Sequence, residues 1–246
     1  MSDWIPALSP AAMAEVDRLM LNDLRVGTLQ LMETAGHAIA TFAREQCLPG
    51  GVTGKRVLTL AGSGGNGGDA LVAARWLAAW GASPVVALTK SGDAYNGAAA
   101  HQLATVERMG IPILALDERL PDADLILDGL LGFSASGNPR GVAAALIGAA
   151  NAHPAPVLAI DLPSGLDAAT GAIGIPCVRA AWTLTLALPK TGLLVPGAGA
   201  VCGAITVADI GVPVEVLRRA GASIEASPFA ESWFRAVDPA SGRGSE

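Results

Sequence analysis

The chain has 246 residues, 51% of them apolar, so it can fill one core of ordinary α/β size and is not a disordered tail. Its formal charge is −6 with no basic block, which argues against duplex nucleic acid or an anionic membrane surface as the main partner. No stretch is apolar enough to span a bilayer, no signal-peptide pattern opens the chain, and Cys47, Cys177 and Cys202 fit neither a disulfide framework nor a zinc site, so a reducing, cytoplasmic setting is expected.

The first fifty residues predict two helices. Ser9 followed by Pro10 has the form of a helix cap and first turn, and Met13, Val16 and Met20 follow at helical spacing. A second pattern runs from about Thr28 to Cys47, where Leu29, Met32, Ala35, Ile39 and Phe42 recur in steps of three and four. The apolar Leu29, Leu31, Met32 and Ile39 surface is expected to take part in a homodimer. From Arg56 the period shortens. Short apolar runs at 56–61, 84–89, 112–116, 125–128, 156–161, 182–188 and 204–208 predict buried strands. Helices are predicted between them at 67–80, 96–109 and 142–152, and a last one at 213–220. This alternation predicts an α/β fold: a Rossmann-like three-layer sandwich with a mostly parallel central sheet, helices on both faces and two N-terminal helices. Residues 1–235 read as one domain and 236–246 as a loose tail.

Right-handed crossovers place the strand C-termini along one rim, where ligands bind in such sheets. The first strand runs into Gly62-Ser63-Gly64-Gly65-Asn66-Gly67-Gly68-Asp69, which contains a glycine fingerprint for phosphate at a helix N-terminus. A dehydrogenase would want an acidic residue after the second strand for the ribose; Thr89-Lys90 stands there instead. The 125–128 strand ends in Asp128, followed by a loop of Gly132, Phe133, Ser134, Ala135, Ser136, Gly137 and Asn138. The 156–161 strand ends in Asp161-Leu162-Pro163-Ser164-Gly165. Asn66, Asp128 and Asp161 thus bring oxygen-rich groups to one rim without His or Cys, a set that favours a hard cation over zinc or copper. His37, His101 and His153 fall on predicted helices or helix ends away from the rim. Lys190 ends the 182–188 strand as either a solvated lysine or a contact for a substrate phosphate.

Four stretches together make the chain resemble the YjeF N-terminal domain family. They are Asp17-Arg18 through Leu31-Met32-Glu33-Thr34-Ala35-Gly36, Gly64 to Asp69, Asp128 to Ser134, and Asp161 to Gly165. The resemblance covers about residues 10–210 and departs at Gly65, where the family usually has Asn. It implies NAD(P)H-hydrate epimerisation: interconversion of the R and S forms of NADHX or NADPHX, nicotinamides hydrated at ring carbon 6, so that a separate or lost dehydratase domain can act on the S form. It also implies potassium on Asn66, Asp128 and Ser164. Substrate would contact Gly65, Asn66, Gly67, Gly68 and Asp69, then Gly132 to Asn138, and Asp161, which is the candidate general acid/base. The competing reading is a non-catalytic nucleotide-binding or scaffold module on the same fold.

Overall fold

The computed structural model describes residues 5–116 and 118–238. Ser9 caps α1 (Pro10–Arg18), its Oγ accepting the Ala12 N–H at 3.2 Å, as the sequence predicts. A single wide turn, Leu19–Asp23, leads toward α2 (Thr28–Phe42). The Gln30 side chain folds back to accept the Gly27 N–H at 2.7 Å and so fixes where α2 begins. The end of the predicted second helix is a further wide turn, Ala43–Cys47.

The sheet contains β1 (Arg56–Ala61), β2 (Ser83–Leu88), β3 (Leu125–Gly129), β4 (Val157–Ile160), β5 (Trp182–Leu186), β6 (Ala204–Ala208) and β7 (Phe234–Val237). Its order is β2-β1-β3-β4-β5-β6-β7, all parallel except β7, which runs antiparallel to β6. Its helices are α3 (Gly65–Ala79), α4 (Gly97–Arg108), α5 (Gly141–Ala152), the short α6 (Gly199–Cys202) and α7 (Val214–Arg219). Alternation along β3 divides its side chains between two cores. Leu125 and Leu127 pack with Ile39 of α2 and Leu77 of α3, while Ile126 packs with Ile147 of α5 on the other face. This is the predicted three-layer arrangement. Among the described residues no helix is long and apolar enough to cross a membrane.

Two boundaries need correction. The run at 112–116 forms one parallel bridge, Ile113 to Val86, rather than a strand. Pro112 has no N–H to continue the ladder, and its carbonyl accepts Val86 N at 2.9 Å before the chain leaves the sheet edge. Conversely, Ala236 and Val237 lie in β7, paired with Thr206 and Ile205, inside the segment expected to be tail. Residues 239–246 of that tail lie outside the described residues.

The chain runs from β1 outward to β2 and returns to form β3 on the opposite side of β1. The loops leaving β1 and β3 therefore diverge, and a crevice opens above them. The site lies there.

Candidate functional site

The crevice is a cleft of about 640 Å³, a volume suited to a nucleotide-sized molecule. Its phosphate-compatible wall is the turn from β1 into α3. A Cβ at Gly62 would stand 2.0 Å from the Leu130 carbonyl oxygen, and one at Gly67 would stand 1.7 Å from the Gly62 oxygen. Glycine is required at both positions because backbone packs on backbone. Gly64 and Gly65 differ: a Cβ at either meets nothing within 4 Å. Among the described residues no side chain caps α3, so its first turn faces the cleft bare, the usual setting for an anion.

Beneath this wall the three expected cation ligands converge. Asn66 Nδ2 donates to the carbonyls of Leu131 at 2.9 Å and Ile160 at 3.1 Å, tying the α3 start to the ends of β3 and β4. Ser164 Oγ donates to Asp128 Oδ1 at 2.7 Å and accepts the Leu131 N–H at 2.9 Å. Ser164 N donates to Asp128 Oδ2 at 2.8 Å. Asp128 is fully buried, and burial pushes its carboxyl up to about 6 against the opposing hydrogen bonds from Ser164 and Leu130. No cationic side chain pairs with Asp128 among the described residues. Cys177, near enough to feel Asp128, stays a thiol, since burial pushes it up to about 12. A buried carboxylate with no counter-cation, a hydroxyl and an amide form a donor set that fits a hard monovalent cation.

Asp161 takes a different course. Its φ is +66°, a left-handed conformation costing roughly 1–2 kcal/mol in a residue with a Cβ. Ala187, just after β5, has φ +62°. These adjacent kinks turn Asp161 toward β5, where Oδ1 accepts Leu186 N at 3.2 Å and Thr185 Oγ1 at 3.3 Å. The same oxygen forms an ion pair with Lys190. Lys190 is only 1% exposed and also donates to the Leu186 carbonyl at 2.9 Å. It is therefore not solvated. It lines the cleft as the counter-charge of Asp161.

The remaining expected substrate positions divide. Gly65, Asn66, Gly67, Asp69, Gly132, Phe133, Ser134 and Ala135 line the cleft. Gly68 is buried beneath it, where a Cβ would stand 2.4 Å from Met32 Cε. Ser136 and Gly137 border a smaller neighbouring recess, and Asn138 Oδ1 is used to accept Ile175 N at 2.9 Å. His37 packs edge-on to Trp76 and Trp80, and His153 bonds the Pro121 carbonyl, both outside the cleft lining.

Asp17 was not among the expected site residues, yet it lines the cleft with Met13 and Leu21. Its carboxyl is raised by burial, with Lys190 opposing and Asp161 adding to the rise. Asp69 is raised well above the ordinary range, mainly by burial and further by Asp161 and Asp17.

The family model described as YjeF-related protein N-terminus matches residues 28–192. The NAD(P)H-hydrate epimerase of Rhodopirellula baltica is 36% identical over 87% of this chain and 88% of its own. That of Dehalogenimonas lykanthroporepellens is 37% identical over 94% and 92%. The bifunctional NAD(P)H-hydrate repair enzyme Nnr of Moorella thermoacetica is 36% identical over 85% of this chain, which spans 41% of that protein's length. The crystal structure of yeast ynu0 superposes with a TM-score of 0.77 at 25% identity, covering 94% of this chain and 99% of that one.

Proposed function

The chain belongs to the family of YjeF-related protein N-termini, and from that membership we propose that it is an NAD(P)H-hydrate epimerase interconverting the R and S forms of NADHX or NADPHX. The observation that carries this reading is a nucleotide-sized cleft with a bare helix N-terminus on one wall and the Asp161–Lys190 ion pair on another. In a hydrated dihydronicotinamide the ring nitrogen helps the C6–O bond to break. The protein then has to hold the nucleotide, accept and return protons at that oxygen, and leave both faces of C6 open to water. The first turn of α3 is suited to the phosphates. Asp161 is suited to accept a proton from adding water, because Lys190 and two further donors fix its orientation. Incubating the pure protein with R-NADHX and an S-specific dehydratase tests the reading. Consumption of the R form is the expected result; its persistence would refute the reading.

Potassium is proposed on Asn66, Asp128 and Ser164, where it would neutralise the buried carboxylate and hold the three rim loops in register.

Gly65 departs from the family's usual Asn without a steric reason, since a Cβ there meets nothing within 4 Å. Gly65→Asn is expected to fold normally and, by adding one polar contact to substrate, to lower KM by about 2–10-fold. An unchanged KM would show that substrate does not reach this position, and a raised one that the added amide obstructs it.

The expected dimer surface needs revision. Met32 is 4% exposed and Ile39 is 0%, so both belong to the core. The exposed apolar groups near the N-terminal helices are Leu21, Leu24 and Leu29. A homodimer through Leu24 and Leu29 is proposed, Leu21 being part of the cleft wall. Sedimentation at tens of micromolar should give a dimer that Leu24→Glu dissociates, and a wild-type monomer would contradict it. Three unpaired buried thiols support a reducing compartment.

A further inference from the structure

We infer that Asp17 of α1 belongs to the catalytic cleft and acts through Asp69, so that these two carboxyls hold the proton given to the departing C6 oxygen. The inference rests on the epimerase reading.

The N-terminal segment is built into the site in two ways. Leu8 pairs with the backbone around Lys190: its N–H donates to Pro189 O at 2.8 Å and its carbonyl accepts Thr191 N at 3.0 Å. Then α1 presents Met13 and Asp17, and the following turn Leu21, to the cleft at steps of four residues. Met13 and Val16 on that side are buried. A carboxylate on an otherwise apolar stripe is unfavourable there unless the cleft uses it.

The charged side chains lining the cleft are Asp17, Asp69 of α3, Lys90 after β2, Arg140 before α5, Asp161 after β4 and Lys190 after β5. Only uncharged groups face it from α2 and from Ile210 after β6. Lys190 is committed to Asp161. Asp17 and Asp69 form no ion pair and accept no side-chain or backbone hydrogen bond among the described residues. Three carboxylates facing one buried ammonium cannot all ionise cheaply, so a proton resides on the unpaired two. Of these two, Asp69 is the one raised well above the ordinary carboxyl range, by burial and then by the charges of Asp161 and Asp17. The cleft thus holds a carboxylate paired with an ammonium beside two carboxyls that have no cationic partner among the described residues, which suits a base and an acid at one site.

The proton balance closes. The C6–O bond breaks as the ring-nitrogen lone pair forms a C=N⁺ bond, and Asp69 gives its proton to the departing oxygen, which leaves as water. Water adds to the other face of C6, the electron pair returns to nitrogen, and Asp161 takes the added water's proton. That proton passes back to Asp69, which restores the site.

Asp17→Asn removes a negative neighbour and should make Asp69 a stronger acid. The measurable result is a kcat/KM that falls about tenfold on the alkaline side of the profile and stays within about twofold of wild type on the acid side. Asp17→Glu should restore the profile. Carboxyl ¹³C titration of labelled aspartates should show the Asp69 midpoint shifted down in Asp17→Asn, and the same spectra establish that the variant is folded. An unmoved Asp69 midpoint, or a loss of rate equal at every pH, overturns the inference. If the wild-type protein fails to convert R-NADHX, the epimerase reading falls, while the Asp69 midpoint still decides whether Asp17 acts on it.

Discussion

Asp161→Asn is expected to lower turnover at saturating substrate by about 10²–10⁴-fold, the usual loss for a positioned acid or base. It is also expected to cost about 3–5 kcal/mol of stability, because the buried Lys190 ammonium would lose the carboxylate it is paired with. Sequence alone would suggest that Asn keeps the fold intact, since it preserves volume and most hydrogen bonds. The ion pair overturns that expectation. Loss of activity in the single variant therefore has two causes, and the double variant Asp161→Asn with Lys190→Met separates them. Replacing a buried ion pair by neutral groups of similar volume is often close to neutral for stability. The double variant should recover most of the lost melting temperature and none of the turnover. If Asp161 only held a substrate hydroxyl, KM would rise while turnover persisted. Near-normal turnover in the double variant would remove Asp161 and Lys190 from the chemistry together.

Local patterns make the rim legible, and long-range register hides its best partner. Asn66, Asp128 and Ser164 each stand at a strand end with glycine or proline beside them, so topology alone brings them together. Lys190 sits in Pro189-Lys190-Thr191-Gly192, where it reads as either a solvated lysine or a contact for a substrate phosphate. Its burial against Asp161 depends on β4 pairing with β5, Ile160 against Leu184, and no local pattern encodes that register. β7 is hidden for a similar reason. Four residues after a Ser- and Pro-containing stretch form a strand only because β6 offers an open edge. Asp17 leaves a readable trace. It interrupts the Met13, Val16, Met20 stripe four residues after Met13, and a carboxylate on the buried side of a helix is a signal of its own.

With potassium placed as proposed, Asp128→Asn is expected to abolish any stabilisation by that cation and to remove its pH dependence. In cation-free buffer burial raises the Asp128 carboxyl from 3.8 to about 6. A carboxyl raised by folding favours the native state below the unfolded value, and that advantage is lost as pH rises through the folded value. The window is therefore about pH 4 to 6, and the loss across it is about 3 kcal/mol at roughly 1.4 kcal/mol per unit. Above it the native state carries a buried carboxylate met, among the described residues, only by Ser164 and the Leu130 N–H. A cation bound to the ionised form offsets this cost, so the gain in Tm from potassium should be small near pH 4 and grow through pH 6. Tetramethylammonium at equal ionic strength, too large for such a site, should give no comparable gain. The amide that Asp128→Asn introduces cannot ionise. It would also turn an N–H₂ group toward one of the donors now satisfied by the carboxylate, costing about 1–3 kcal/mol at every pH. Melting curves of both proteins in the two salts across this range decide the matter. A potassium gain that persists in Asp128→Asn, or that is level with pH in the wild type, would place the cation elsewhere.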